Sequence, residues 1–197
     1  MAVNREPVLK RCRNLGIEPA FLGIFKKSKK QVLRTNRKPS EYGMQTKEKQ
    51  KAKFIYGVLE KQFRSYFNKA SRMKGIVGEN MLCLLEMRLD NVMFRAGLAR
   101  TRREARQIVG HKMLKINGKR VNIPSYQVKV GDVIEVREKS KTSQRFKDIV
   151  EVTGGQITPD WLSSDKENLR VTINAKPTRE QIDVPVMETL IVEHYSK

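Results

Sequence analysis

The run TRREARQIVGHKMLKINGKRVNIPSYQVKVGDVIEV, Thr101 to Val136, changes its hydrophobic period halfway along, and that change narrows what the chain can fold into. Its first eight residues read as a short helix. Thr101 offers a hydroxyl cap, Glu104 stands three residues on in capping-box position, and Gly110 closes the far end. Ala105, Ile108 and Val109 form one stripe at helical spacing, and Arg102, Arg103 and Arg106 are read as a neighbouring face turned outward together. Beyond Gly110 the spacing shortens. Met113, Leu114 and Ile116 run into Asn117-Gly118, the dipeptide that accepts positive φ at both central positions of a hairpin turn, and Val133, Ile134 and Val136 resume a period of two after Gly131-Asp132. The expected unit is an arginine-faced helix beside a tight sheet.

Upstream the pattern is helical. From Gln45 to Lys74, Ile55, Leu59, Phe63, Tyr66, Ala70 and Met73 step by three or four, with Gly57 expected to kink the helix. Its polar side carries Lys47, Lys49, Lys51, Lys53, Lys61, Arg64, Lys69, Arg72 and Lys74 against only Glu48 and Glu60, so a nearly unneutralised track for phosphates is expected. The aromatics Phe54, Tyr56, Phe63, Tyr66 and Phe67 are assigned to core packing because their spacing is helical. A further helix is expected from Glu79 or Asn80 to Ala96, ended by Gly97. With the arginine helix it makes a helix-turn-helix-like pair set against the sheet. Past Val150 the signals weaken. TGGQITPDW reads as a loop, RVTI at 170–173 as a strand, and 186–195 as an apolar segment, helix or strand, that docks on residues 41–87.

The chain carries forty-one Lys and Arg against twenty-one Asp and Glu, a net charge of +20, and a compact body so charged calls for a polyanion, nucleic acid first. The charge is unevenly spread: Met1 to Gly75 holds twenty basic and five acidic residues, whereas Glu151 to Lys197 holds five and eight. That asymmetry separates a polyanion-facing part from one that meets protein or its own core. No window is apolar enough for a membrane span and no signal peptide is evident, so no membrane partner and a soluble, cytoplasmic chain are expected. Two cysteines, Cys12 and Cys83, do not complete a zinc site, and His111 and His194 stand at no metal spacing, so neither a metal nor a cofactor is expected. With no phosphate-loop or nucleophile-elbow pattern, no catalytic residue is assigned and the chain is read as no enzyme.

RLDNVMFRAGLARTRREARQIVGHKMLKINGKRVNIPSYQVKVGDVIEV resembles the RNA-binding module named after small-subunit ribosomal protein S-four, and SEYGMQTKEKQKAKFIYGVLEKQF with LIVEHYSK resembles the rest of the bacterial form of that family. The zinc knuckle of many members is missing: Cys12 has no cysteine partners nearby. The fold implied is α+β, a mostly helical N-terminal domain plus an RNA-binding module with the helix-turn-helix-like pair packed on a small antiparallel sheet. Three parts are implied: a basic extension (1–40); a helical rRNA-binding domain (41–87) on which 183–197 docks; and an α+β domain (88–182) containing the module at about 88–150. The resemblance implies a structural protein that binds 16S rRNA first, nucleates the body of the small subunit, contacts ribosomal protein S-five and other small-subunit proteins, contributes to translational accuracy, and lies near messenger RNA. Its implied rRNA-facing residues are Arg100, Thr101, Arg102, Arg103, Arg106, His111, Lys112 and Lys119 in the module, with Lys47, Lys49, Lys51, Lys53, Arg64 and Arg72 in the helical part. Arg34, Arg37 and Lys38 would line the messenger entrance, and Tyr42, Gln45, Ile191, Glu193 and Tyr195 would meet S-five.

Overall fold

The computed structural model describes residues 7–26 and 40–196, and these divide into two compact units. The first comprises residues up to Leu82 together with Asp183 onward; the second is Cys83–Ile182. Among the described residues no helix is long and apolar enough to cross a membrane.

The first unit is helical. Helix α1 (Val8–Leu15) buries Cys12 and Leu15, with Ile17 beyond its Gly16 cap, and Arg11 donates to Gln50 at 3.3 Å. Residues 8–17, within the stretch expected as a basic extension, thus pack into a core. Helix α2 (Glu41–Tyr56) starts at Ser40, whose hydroxyl accepts from Gly43 N, and stops at Gly57. Gly57 adopts φ 63°, and Val58 N returns to Lys53 O at 3.0 Å, so the expected kink is a complete stop in a glycine-capped end. Helix α3 (Glu60–Ala70) follows, burying Phe63, Tyr66 and Ala70. Helix α4 (Val77–Glu86) leads out of this unit.

In the second unit the helix expected through Ala96 is broken. Residues Met87 and Arg88 are strand-like: Val128 N donates to Met87 O at 3.0 Å and Leu89 N to Tyr126 O at 2.9 Å, after which α5 (Leu89–Arg95) begins. No glycine or proline marks the break, and Leu82, Leu85, Leu89, Val92, Met93 and Ala96 are all fully buried, so the apolar spacing runs through it unchanged. Helix α6 (Arg102–Gly110) forms the pair with α5. The five strands are β1 (Leu114–Ile116), β2 (Lys119–Val121), β3 (Val133–Val136), β4 (Leu162–Asp165) and β5 (Arg170–Ile173). They lie in the order β2-β1-β3-β5-β4, every neighbouring pair antiparallel. The β1–β2 turn has Asn117 at φ 48° and Gly118 at φ 79°, the two positive angles that an Asn-Gly hairpin requires.

Between β3 and β4 come two helices that the sequence signals missed, α7 (Glu138–Lys141) and α8 (Gln144–Thr153). Phe146 and Ile149 of α8 join Val92, Met93, Ile108, Val109, Leu114, Ile134, Trp161 and Val171 in a single core. The fold is therefore α+β, with the α5–α6 pair packed on a small antiparallel sheet. The last helix, α9 (Glu188–Ser196), returns to the first unit and lies against α2.

Candidate nucleic-acid interface

Helix α6 is held from beneath by a buried polar network. The Arg102 side chain, 8% exposed, donates from Nε to Asn91 Oδ1 at 2.7 Å and stacks over the Phe94 ring at 4.3 Å from its centroid. Asn91 in turn donates to Glu86 Oε2 at 2.6 Å, and Arg95 donates twice to the same carboxylate, at 3.1 and 3.0 Å. A guanidinium buried this way fixes α6 to the core through Asn91 and Phe94. This corrects the expectation that Arg102 faces outward with Arg103 and Arg106. Residue 102 stands three before Ala105 and seven before Val109, so it lies on the apolar stripe itself.

The other two arginines differ. Arg106 is half-buried and approaches Asp90 Oδ2 at 3.4 Å, an oxygen that also accepts from Arg88 at 2.7 Å. Arg103 is exposed, as are His111, Lys112 and Lys119, and none of these four has a carboxylate partner among the described residues. Lys112 adopts φ 58°, so the left-handed residue that turns the chain out of α6 is Lys112, two positions past the glycine expected to close the helix. Thr101 caps α6 by accepting from Glu104 N at 3.1 Å. Glu104 reaches back to Arg100 instead of Thr101, accepting from the Arg100 backbone at 2.9 Å and from its guanidinium at 3.1 and 3.0 Å. Partial burial pushes the Glu104 carboxyl up, yet these bonds and the charges of Arg100 and Arg145 hold its pKa below the ordinary value.

The lysines of α2 are placed otherwise. Lys53 pairs with Glu60 at 2.7 Å and Lys49 with the same carboxylate at 3.3 Å, while Lys51 pairs with Glu48. Their side chains are only 11–15% exposed, so the nearly unneutralised track is absent at these three positions. The neutralising acid, Glu60, stands beyond the Gly57 break, where helical spacing from Lys49 or Lys53 does not reach. Burial raises the Glu60 pKa, but hydrogen bonds from Lys53 and Tyr195 and the charges of Lys53 and Lys49 outweigh it and bring it down to about 2. Lys47, Arg64 and Arg72 are exposed with no carboxylate partner among the described residues.

Helix α9 completes this cluster. Tyr195 donates to Glu60 at 2.7 Å and packs its ring at 4.8 Å from that of Phe67, and burial followed by this hydrogen bond pushes its hydroxyl pKa up. His194 Nε2 lies 2.9 Å from Lys49 Nζ, and Gln45 donates to Glu193 at 3.2 Å. Gln45 and Ile191, expected on a partner-facing surface, are fully buried between α2 and α9 because they make that helix seam. Tyr42 and Glu193 are exposed and Tyr195 is half-buried. Arg34, Arg37 and Lys38 lie outside the described residues. Among the described residues no group of three potential metal ligands gathers, and Cys12 is buried in α1.

Two antiparallel-sheet-backed helices with exposed cations on the second are the architecture of an S4-type RNA-binding module, and residues 87–134 match the family described as the S4 domain. Residues 4–86 match the family described as ribosomal protein S4/S9 N-terminal domain. The chain is 65% identical over 197 residues to small ribosomal subunit protein uS4 of Agathobacter rectalis and 64% identical over 197 residues to that of Lachnospira eligens, covering 100% of both chains in each case. It is 48% identical over 198 residues to the uS4 protein of Fusobacterium nucleatum, again over 100% of both. The chain belongs to the uS4 family, whose members are structural proteins of the small ribosomal subunit in the bacterial cytoplasm and not enzymes.

Proposed function

We propose that this chain is a primary binder of 16S rRNA that nucleates the body of the small subunit. Family membership supports a ribosomal role, and one observation supports direct RNA contact. The solvent side of α6 and its exit carries Arg103, His111 and Lys112, and strand β2 carries Lys119, all without a carboxylate partner among the described residues, while Asn91 and Glu86 hold the helix in place from the core. The unpaired cations Arg103, Lys112 and Lys119 release counterions from phosphates without first breaking an ion pair. Lys47, Arg64 and Arg72 give the helical unit cations of the same kind. Tyr42, Glu193 and Tyr195 are the tail-side residues left accessible to ribosomal protein S-five, through which the chain would contribute to translational accuracy. Arg34, Arg37 and Lys38 remain the candidates for messenger RNA.

The test combines fractionation with direct binding. A core component stays with the small subunit through a high-salt wash, and the purified full-length chain binds a 16S rRNA transcript more tightly than an unrelated RNA of equal length at the same salt. Release at high salt together with equal affinity for both RNAs would overturn the reading.

A further inference from the structure

Residues 137–147 lie beyond the end of the matched S4 domain and hold Arg137, Lys139, Lys141, Arg145 and Lys147 against one acid, Glu138. Two straps bind this segment to α6 and to the residues just past its end. At one end Arg137 Nη1 donates to Lys112 O at 3.1 Å, and Arg137 N donates to Met113 O at 2.9 Å. At the other, Arg145 Nη2 donates to Gln107 Oε1 at 2.9 Å and stands 3.5 Å from Glu104 Oε1. The same Glu104 oxygen takes the Arg100 guanidinium at 3.0 Å, so guanidinium groups from two different elements converge on one carboxylate oxygen. Burial of Phe146 and Ile149 fixes the rotation of α8, and with it the direction in which Arg145 leaves the helix.

A partly exposed ion pair of this kind adds little to stability, so holding α8 in place does not by itself require these charges. Each guanidinium has five N–H donors, more than its bonds to Glu104 and Gln107 use, and the Arg100 and Arg145 side chains are 46% and 27% exposed. The group carries two guanidinium cations on one carboxylate, a net charge of +1. Glu104 thus acts as a fixed counter-ion that orders the two arginines beforehand, lowering the side-chain entropy lost on binding.

The geometry points to Arg100 and Arg145 as a paired phosphodiester site for RNA, extending the interface from α6 onto α8, outside the matched module. It rests on the proposed RNA-binding function. Lys147 is the internal comparison: it is exposed on the same helix, two residues on and therefore on a different face.

Full-length Arg145→Gln, Arg145→Lys, Lys147→Gln and Arg103→Gln variants are titrated with a 16S rRNA transcript across a potassium chloride series, with thermal unfolding measured in parallel. Arg145→Gln should weaken binding about five- to tenfold near 0.1 M salt and flatten the log–log salt slope by about one. Arg145→Lys should keep most of that slope, and Lys147→Gln should stay within about twofold of the parent. The inference falls if Arg145→Gln binds like the parent or like Lys147→Gln, or if its loss follows a lowered unfolding midpoint with the slope unchanged. If Arg103→Gln is also silent, RNA binding by α6 has failed as well; if Arg103→Gln weakens binding and Arg145→Gln does not, only the extension has.

Discussion

Helices α6 and α2 carry the same signal in sequence, many cations and few acids, and they use it in opposite ways. In α6 the cations divide by depth: Arg102 goes inward to Asn91 and Phe94, Arg106 sits halfway beside Asp90, and Arg103 remains in solvent. In α2 they divide by partner: Lys49, Lys51 and Lys53 fold onto Glu60 and Glu48, and Lys47 stays out. Cation density along a helix is therefore a poor measure of the charge offered to a polyanion. What counts is how exposed each cation remains once the tertiary structure has supplied its acids, and for α2 those acids are Glu48 on the helix itself and Glu60 on the next, both buttressed by a segment more than a hundred residues later.

The largest effect that would sharpen this comparison is at the α2–α9 seam. Ile191→Ala should destabilise the first unit by about 2–4 kcal/mol in urea unfolding, because a fully buried isoleucine is replaced by a cavity. A loss below about 1 kcal/mol would mean that α9 is not what holds the lysine cluster together. Next is Arg102→Ala, expected to cost about 2–3 kcal/mol because it strands the Asn91 carbonyl and empties the space over Phe94. Arg103→Ala should stay within about 0.5 kcal/mol. Equal costs would erase the division by depth. A combined alanine change at 102, 103 and 106 mixes these roles, so RNA binding is better probed at Arg103 alone.

Smaller effects test the cluster around Glu60. Tyr195→Phe removes only the hydroxyl that donates to Glu60 and should cost about 1 kcal/mol, with the Phe67 contact intact. The smallest effect is one of pH. The Glu60 carboxyl titrates at about 2 in the folded chain against an ordinary 4.5, so its stabilisation is complete above pH 4.5 and fades as pH falls toward 2. Because Glu60 is nearly half exposed, the change is modest and shrinks with added salt. Comparing acid unfolding of Glu60→Gln with that of the parent checks it; identical curves would show that the ion pairs contribute nothing.

What could be read in advance follows from range. The Ala105-Ile108-Val109 stripe, the Asn117-Gly118 turn and the helix stop just before Gly97 are written in residues next to one another, and the α+β class follows from them. The inward turn of Arg102 is also written there, in its spacing to Ala105 and Val109, but the charge of an arginine argues for water until Asn91 and Phe94 receive it. The break at Met87–Arg88 was not legible, since it is made by hydrogen bonds to Tyr126 and Val128 and not by any local breaker. Helix α8 shows only when its Phe146 and Ile149 meet the core, and Arg145 is tied to α6 only through Glu104 and Gln107. Pairing of Lys49 and Lys53 with Glu60 crosses the helix stop at Gly57, which no periodicity describes.

The two-part composition of the first unit has a consequence for synthesis. Helices α2 and α3 leave the translating ribosome early, but the helix that covers them follows the whole of residues 83–182. At about 5–20 residues per second, those hundred or so residues impose a wait of roughly 5–20 s. The unit made second is complete first, and the unit made first spends that interval with the α2 face that receives Ile191 uncovered, while Gln45 and Lys49 lack their partners on α9. A newly made chain is thus open to capture by chaperones at its older end and already closed at its younger one.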